Sequence, residues 1–144
     1  MKLLTLQFLA LVFSITIHAQ TVNFYNSNGI AIKGFDPVAY FTQNKAVEGK
    51  DSLTTNWSGS IWKFASKENL TLFTKNPEKY APSYGGFCAY GASEKHLSPT
   101  DPNAWTIVNN KLYLNYNLKV KEIWIKDTTT RIISADNYWM TLKK

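Results

Sequence analysis

An almost unbroken apolar run from Leu3 to Ile17 decides how much of this chain is left to fold. Lys2 places a positive charge ahead of the run, and His18-Ala19-Gln20 ends it. That order is the pattern of a secretory signal peptide: charged start, short apolar core, small residue at the cut. A membrane-spanning helix needs roughly 20 apolar residues, more than this run supplies. Residues 1–19 are therefore predicted to be a signal peptide cut after Ala19. No cysteine follows the run, which argues against a lipid anchor. The expectation is an exported protein, periplasmic or secreted, whose mature part has no transmembrane segment. The 144 − 19 = 125 residues of 20–144 suit a single domain.

Removing Lys2 leaves a net charge of 15 − 10 = +5. The lysines are scattered rather than clustered, so the balance reads as a solvated surface and no nucleic-acid partner is expected. Cys88 is the only cysteine, which excludes an internal disulfide even in an oxidising compartment.

The periodicity alternates between the two regular structures. Thr21–Tyr25 reads as a strand, Asn26–Gly29 as a turn and Ile30–Ile32 as a second strand. Pro37 bars a regular central strand in Gly34–Phe41, which is predicted to be a turn leading into a short extended or helical piece. Leu53–Phe64 reads as a hairpin turning at Ser58-Gly59-Ser60, with Trp62 and Phe64 on one face and Ile61 and Lys63 on the other. Ser66 is a helix N-cap with Glu68 in the first turn, Leu70 and Phe73 face the core, and Asn76-Pro77 ends the helix. A short helix is expected from about Phe87. Ala104–Tyr116 is the clearest hairpin, because Asn109-Asn110 suits the positive φ of a type I′ turn. Helices follow near Asn117 and along the stripe Ile132, Ala135, Trp139 and Leu142. The result is an α+β fold: one small domain, with two β-hairpins interleaved with short helices and C-terminal helices. Nothing in the sequence looks repetitive.

Three stretches in combination resemble a known family. They are Gly34-Phe35-Asp36-Pro37-Val38-Ala39-Tyr40-Phe41, the block from Trp62-Lys63-Phe64-Ala65-Ser66 to Asn76-Pro77-Glu78-Lys79-Tyr80, and Tyr84-Gly85-Gly86-Phe87-Cys88-Ala89. Together with the Ala104–Tyr116 hairpin, they resemble the YHS-domain family in its exported, stand-alone bacterial branch. Metal-linked members carry cysteines after the Asp-Pro-Val and Phe-x-Ser blocks. Here those places hold Ala39-Tyr40-Phe41 in the first block, and Ala65 and Asn69 in the second. The resemblance thus implies a retained fold from which the thiolate cluster has been lost.

Few residues are left to carry chemistry. The Cys88 thiolate is soft and suits Cu(I), and His96, the one histidine after cleavage, is the other candidate metal ligand. Against this, free cysteine is commonly a small buried hydrophobe, and a spacing of eight residues is not a zinc pattern. The neighbours of His96 suggest an exposed loop. Tyr40, Trp62, Tyr80, Tyr84, Tyr90, Trp105, Tyr113 and Trp124 form the expected aromatic core, or else line a small-molecule pocket. Asp36, Glu78, Glu94 and Asp101 show no acid/base or calcium spacing. The sequence therefore suggests a binding or accessory domain without catalysis, associated with a metal ion, copper above zinc, through one thiolate. The alternatives are a protein-interaction or structural module that binds no metal, and a thiol-dependent enzyme using Cys88.

Overall fold

The computed structural model describes residues 23–143. The expected signal peptide, and Thr21 and Val22 of the first expected strand, lie outside them. The rest of that strand does not form. Asn23–Tyr25 have no ladder partner, and the Tyr25 N–H donates to the Gly85 carbonyl at 2.7 Å. Pairing starts one residue later, between β1 (Asn26–Ser27) and β2 (Ile30–Ala31). The turn contracts to Asn28 (φ 53°) and Gly29 (φ 81°), because asparagine and glycine tolerate left-handed backbone. Ile32 then leaves the strand for a left-handed turn with Lys33 and Gly34, at φ 48°, 50° and 88°.

Past Pro37 the chain makes α1 (Ala39–Thr42), then β3 (Lys50–Trp57) and β4 (Ser60–Phe64). β2 runs parallel to β4 through Ile30 and Ile61, giving a four-stranded sheet ordered β1-β2-β4-β3. Trp62 and Phe64 are buried and Ile61 is exposed, as the alternation predicts. Ser66 caps α2 (Lys67–Lys75) by accepting from the Asn69 N–H at 3.1 Å. Asn76 ends that helix, and its side chain caps α3 (Pro77–Tyr80). A proline is tolerated in that first turn because its missing N–H would be unpaired anyway.

A second left-handed turn follows at Tyr84, Gly85 and Gly86, with φ of 54°, 61° and 80°. The helix expected from about Phe87 begins later, as α4 (Ala89–Ser93), with Cys88 outside it as the N-cap. Phe87 stays extended at φ −73° and ψ 160°, held by the turn before it. β5 (Asp101–Val108) and β6 (Lys111–Asn115) pair through the expected Asn109-Asn110 turn. Asn117 caps α5 (Leu118–Trp124), and Asp127 caps α6 (Thr128–Leu142). Six of the eight expected core aromatics are buried, while Tyr90 and Trp105 are partly covered. The fold is α+β.

The structure is repetitive where the sequence looked otherwise. The hairpins β3–β4 and β5–β6 each comprise an eight-residue strand, a two-residue turn and a five-residue strand. Their second strands begin at Ser60 and Lys111, so the offset is 111 − 60 = 51 residues. Each carries one register shift at the same place, Lys50/Thr54 in one and Asp101/Trp105 in the other. Two hairpins with few identical residues keep one register because buried alternation and turn geometry set it, and neither requires a particular residue.

Candidate functional site

Cys88 is 2% exposed and its thiol is already engaged. The Gly91 N–H donates to Sγ at 3.4 Å, and the thiol faces Asn115 Oδ1 at 3.7 Å, to which it donates. Asn115 Oδ1 also accepts from the Tyr90 N–H at 3.1 Å. The backbone N–H of Cys88 donates to the Ser98 carbonyl at 3.0 Å. Asn115 is fully buried, and its Nδ2 has no hydrogen-bond partner among the described residues. The Cys88 thiol is thus buried and hydrogen-bonded within the fold, which restricts its access to a substrate or an ion.

His96 is exposed, as its neighbours suggested. Its Nδ1 lies 3.0 Å from Ser98 Oγ, and its ring covers Gly91 so closely that a Cβ there would meet Cε1 at 3.0 Å. The two sequence-predicted ligands thus border the same glycine, one buried and one at the surface. Among the described residues no group of three or more His, Cys, Asp or Glu side chains could hold a metal ion.

The more elaborate polar centre is one that spacing alone did not single out. Asp36 is fully buried. Its Oδ1 accepts from the N–H groups of Val38 (2.8 Å) and Ala39 (3.3 Å), which open α1. Its Oδ2 accepts from the Ala65 N–H (2.8 Å), just past β4, and from Asn69 Nδ2 (2.7 Å) on α2. Four donors on one carboxyl group join two segments that are far apart in sequence, Asp36–Ala39 and Ala65–Asn69. The Asp-Pro-Val block carried a usable signal, since Asp favours bonds to the backbone two or three residues on. The partners Ala65 and Asn69 could be named only from the fold.

Other polar clusters fasten helices. Tyr84 Oη donates to Asp136 Oδ1 at 2.9 Å, and burial, reinforced by that carboxylate, pushes its hydroxyl above the usual tyrosine range. Arg131 bridges Ser93 Oγ and Glu94 Oε1 and lies 4.1 Å above the Tyr90 ring, tying α6 to α4. Its hydrogen bond to Glu94 raises the guanidinium further above its usual value. A pocket of about 110 Å³ is lined by Thr55, Asn56, Trp57, Phe73, Thr74 and Pro77. None of these is an acid, a base or a nucleophilic thiol, so the pocket offers shape without chemistry.

Among the described residues no helix is long and apolar enough to cross a membrane. No family model, curated protein or solved structure matches the chain.

Proposed function

We propose that this chain is an exported, YHS-like interaction or structural module that binds no metal and performs no catalysis of its own. One observation carries the reading. Ala65 and Asn69 stand where metal-linked YHS domains have cysteines, and both donate to the Asp36 carboxyl group. A hydrogen-bonded carboxyl group thus ties the Asp-Pro-Val segment to the β4–α2 junction, the two segments a shared metal would bridge. The cross-link is kept in function while its chemistry changes from coordination to hydrogen bonding.

The partner class proposed for such a module is another protein: the pocket of Thr55, Asn56, Trp57, Phe73, Thr74 and Pro77 carries no charged group to orient a small molecule. The copper reading narrows to Cys88 with His96, and a Cu(I) ion there must displace the thiol from Gly91 and Asn115. Competition titration with a Cu(I) chelator, on the mature protein and on Cys88→Ser, tests the proposal. The expected result is no stoichiometric binding to either. One tight equivalent in the wild type, lost in Cys88→Ser, would overturn it.

A further inference from the structure

We propose that the chain contains two copies of one supersecondary unit, and that Cys88 is the clasp of the second copy, standing where Asp36 stands in the first. The inference deepens the metal-free reading above by giving the lone thiol a role within the fold.

The correspondence extends well beyond the hairpins. Each unit opens with three left-handed residues ending in glycine, Ile32-Lys33-Gly34 and Tyr84-Gly85-Gly86. A phenylalanine follows in both, and its N–H closes the turn: Phe35 to Ile32 O at 3.0 Å, Phe87 to Tyr84 O at 3.1 Å. The next residue is Asp36 or Cys88. The Asp36 N–H donates to Val47 O at 2.8 Å, and the Cys88 N–H to Ser98 O at 3.0 Å. Val47 and Ser98 differ by 98 − 47 = 51 positions, the hairpin offset. The Gly34 carbonyl accepts from Gly49 N, while the Gly86 carbonyl accepts from Thr100 Oγ1. The turns and the residues after them, Asp36 and Cys88 included, stand 88 − 36 = 52 apart, one residue more than these donors, which keep the offset of 100 − 49 = 51. Asn44 and Lys95, at the same offset, share a left-handed φ of 53° and 63°.

The far ends match too. Ser66 and Asn117 both cap the helix that follows the hairpin. A buried strand aromatic meets a buried helix aromatic in each unit. Trp62 and Phe73 lie 4.9 Å apart at 33°, and Tyr113 and Trp124 lie 5.2 Å apart at 36°.

Within this frame the two side chains do the same work. Asp36 holds the start of α1 and reaches the residue just past β4. The Cys88 thiol holds Gly91 in α4 and reaches Asn115, the last residue of β6. The difference is strength. A carboxyl group with four donors is a far better clasp than a thiol, which is a weak donor and a weak acceptor. Asn115 compensates in part by taking the Tyr90 N–H itself. The second unit is therefore the half whose clasp opens more readily.

Native-state amide exchange on wild type, Cys88→Ser and Cys88→Ala tests this. In the wild type, the Tyr90 and Gly91 amides should exchange faster than those of Val38 and Ala65. Cys88→Ser keeps a donor and an acceptor at the clasp, so its pattern should stay close to wild type. Cys88→Ala should speed exchange at Gly91 and Tyr90 by about tenfold, the effect of losing a typical cap, and leave Val38 and Ala65 slower. Unchanged Gly91 and Tyr90 exchange in Cys88→Ala, or equal protection of the two clasps in the wild type, would overturn the proposal. If Cys88→Ala fails to fold, the wild-type comparison of the two clasps still decides. Stoichiometric Cu(I) binding would sink the metal-free reading while leaving this exchange result standing, so the two failures are distinguishable.

Discussion

Asn69 Nδ2 donates to Asp36 Oδ2 at 2.7 Å across 33 residues of sequence, and both side chains are buried. Asp36→Ala would leave that amide and the N–H groups of Val38, Ala39 and Ala65 without their acceptor, the last of them only partly buried. At about 1–3 kcal/mol for each orphaned group, with partial relaxation, the expected loss is about 4 kcal/mol. Asn69→Ala removes one donor of four and should cost about 2 kcal/mol. A double-mutant cycle by urea unfolding should return a coupling of about 1–3 kcal/mol. Simple additivity of the two substitutions would show that the bond contributes nothing.

Gly49 is glycine for lack of space. A Cβ there would sit 2.5 Å from the Lys63 carbonyl carbon and 2.7 Å from the Phe64 nitrogen, both backbone atoms that cannot swing aside. Gly49→Ala should therefore displace β4 and destabilise by about 3 kcal/mol, within the range of overpacking. Gly59→Ala meets no such contact but is strained by φ 77°, so it should cost less, about 1 kcal/mol. Equal losses at the two positions would contradict the close-approach argument.

Alkaline stability follows from two buried hydroxyls. Burial above all, then the charges of Asp101 and Asp36, holds the Tyr40 hydroxyl well above the ordinary value of 10.0, and Tyr84 is raised as well. A folded-state pKa above the unfolded one means that the unfolded chain ionises first. The stabilisation is complete below pH 10 and declines as pH rises beyond it, by up to about 1.4 kcal/mol per pH unit for Tyr40. Absorbance at the tyrosinate band should show these two tyrosines titrating only together with unfolding. Reversible ionisation of every tyrosine in the folded protein would rule the argument out.

Export is testable by intact mass of protein expressed in its native route, where the N-terminus should be Gln20 or within a few residues of it. Full-length protein in the soluble cytoplasm would contradict the reading of residues 1–19.

What the sequence made legible was what strong local chemistry dictates. Ser58-Gly59 and Asn109-Asn110 turn the hairpins, Ser66 and Asn117 start helices, and Asn76-Pro77 stops one. Of the strand expected at Thr21–Tyr25, the described part, Asn23–Tyr25, forms no ladder because β propensity needs a partner, and the Tyr25 N–H finds Gly85 instead. The helix expected from Phe87 starts later because the left-handed Tyr84–Gly86 turn holds Phe87 extended. The duplication stayed hidden because positions such as Asp36 and Cys88, or Trp62 and Tyr113, share a role and not an identity. Asn115 went unnoticed because its place beside the thiol depends on the pairing of β6 with β5 and the docking of α4.

Hydrogen-bonded clasps at Asp36 and Cys88 are proposed to hold this fold without metal coordination. Thermal unfolding of the mature protein before and after exhaustive chelation, with metal content measured on the same samples, tests it most directly. The account predicts superimposable melts and no stoichiometric metal in either sample. A full equivalent of bound metal, whose removal lowers the melting temperature by several degrees or abolishes the transition, would contradict it.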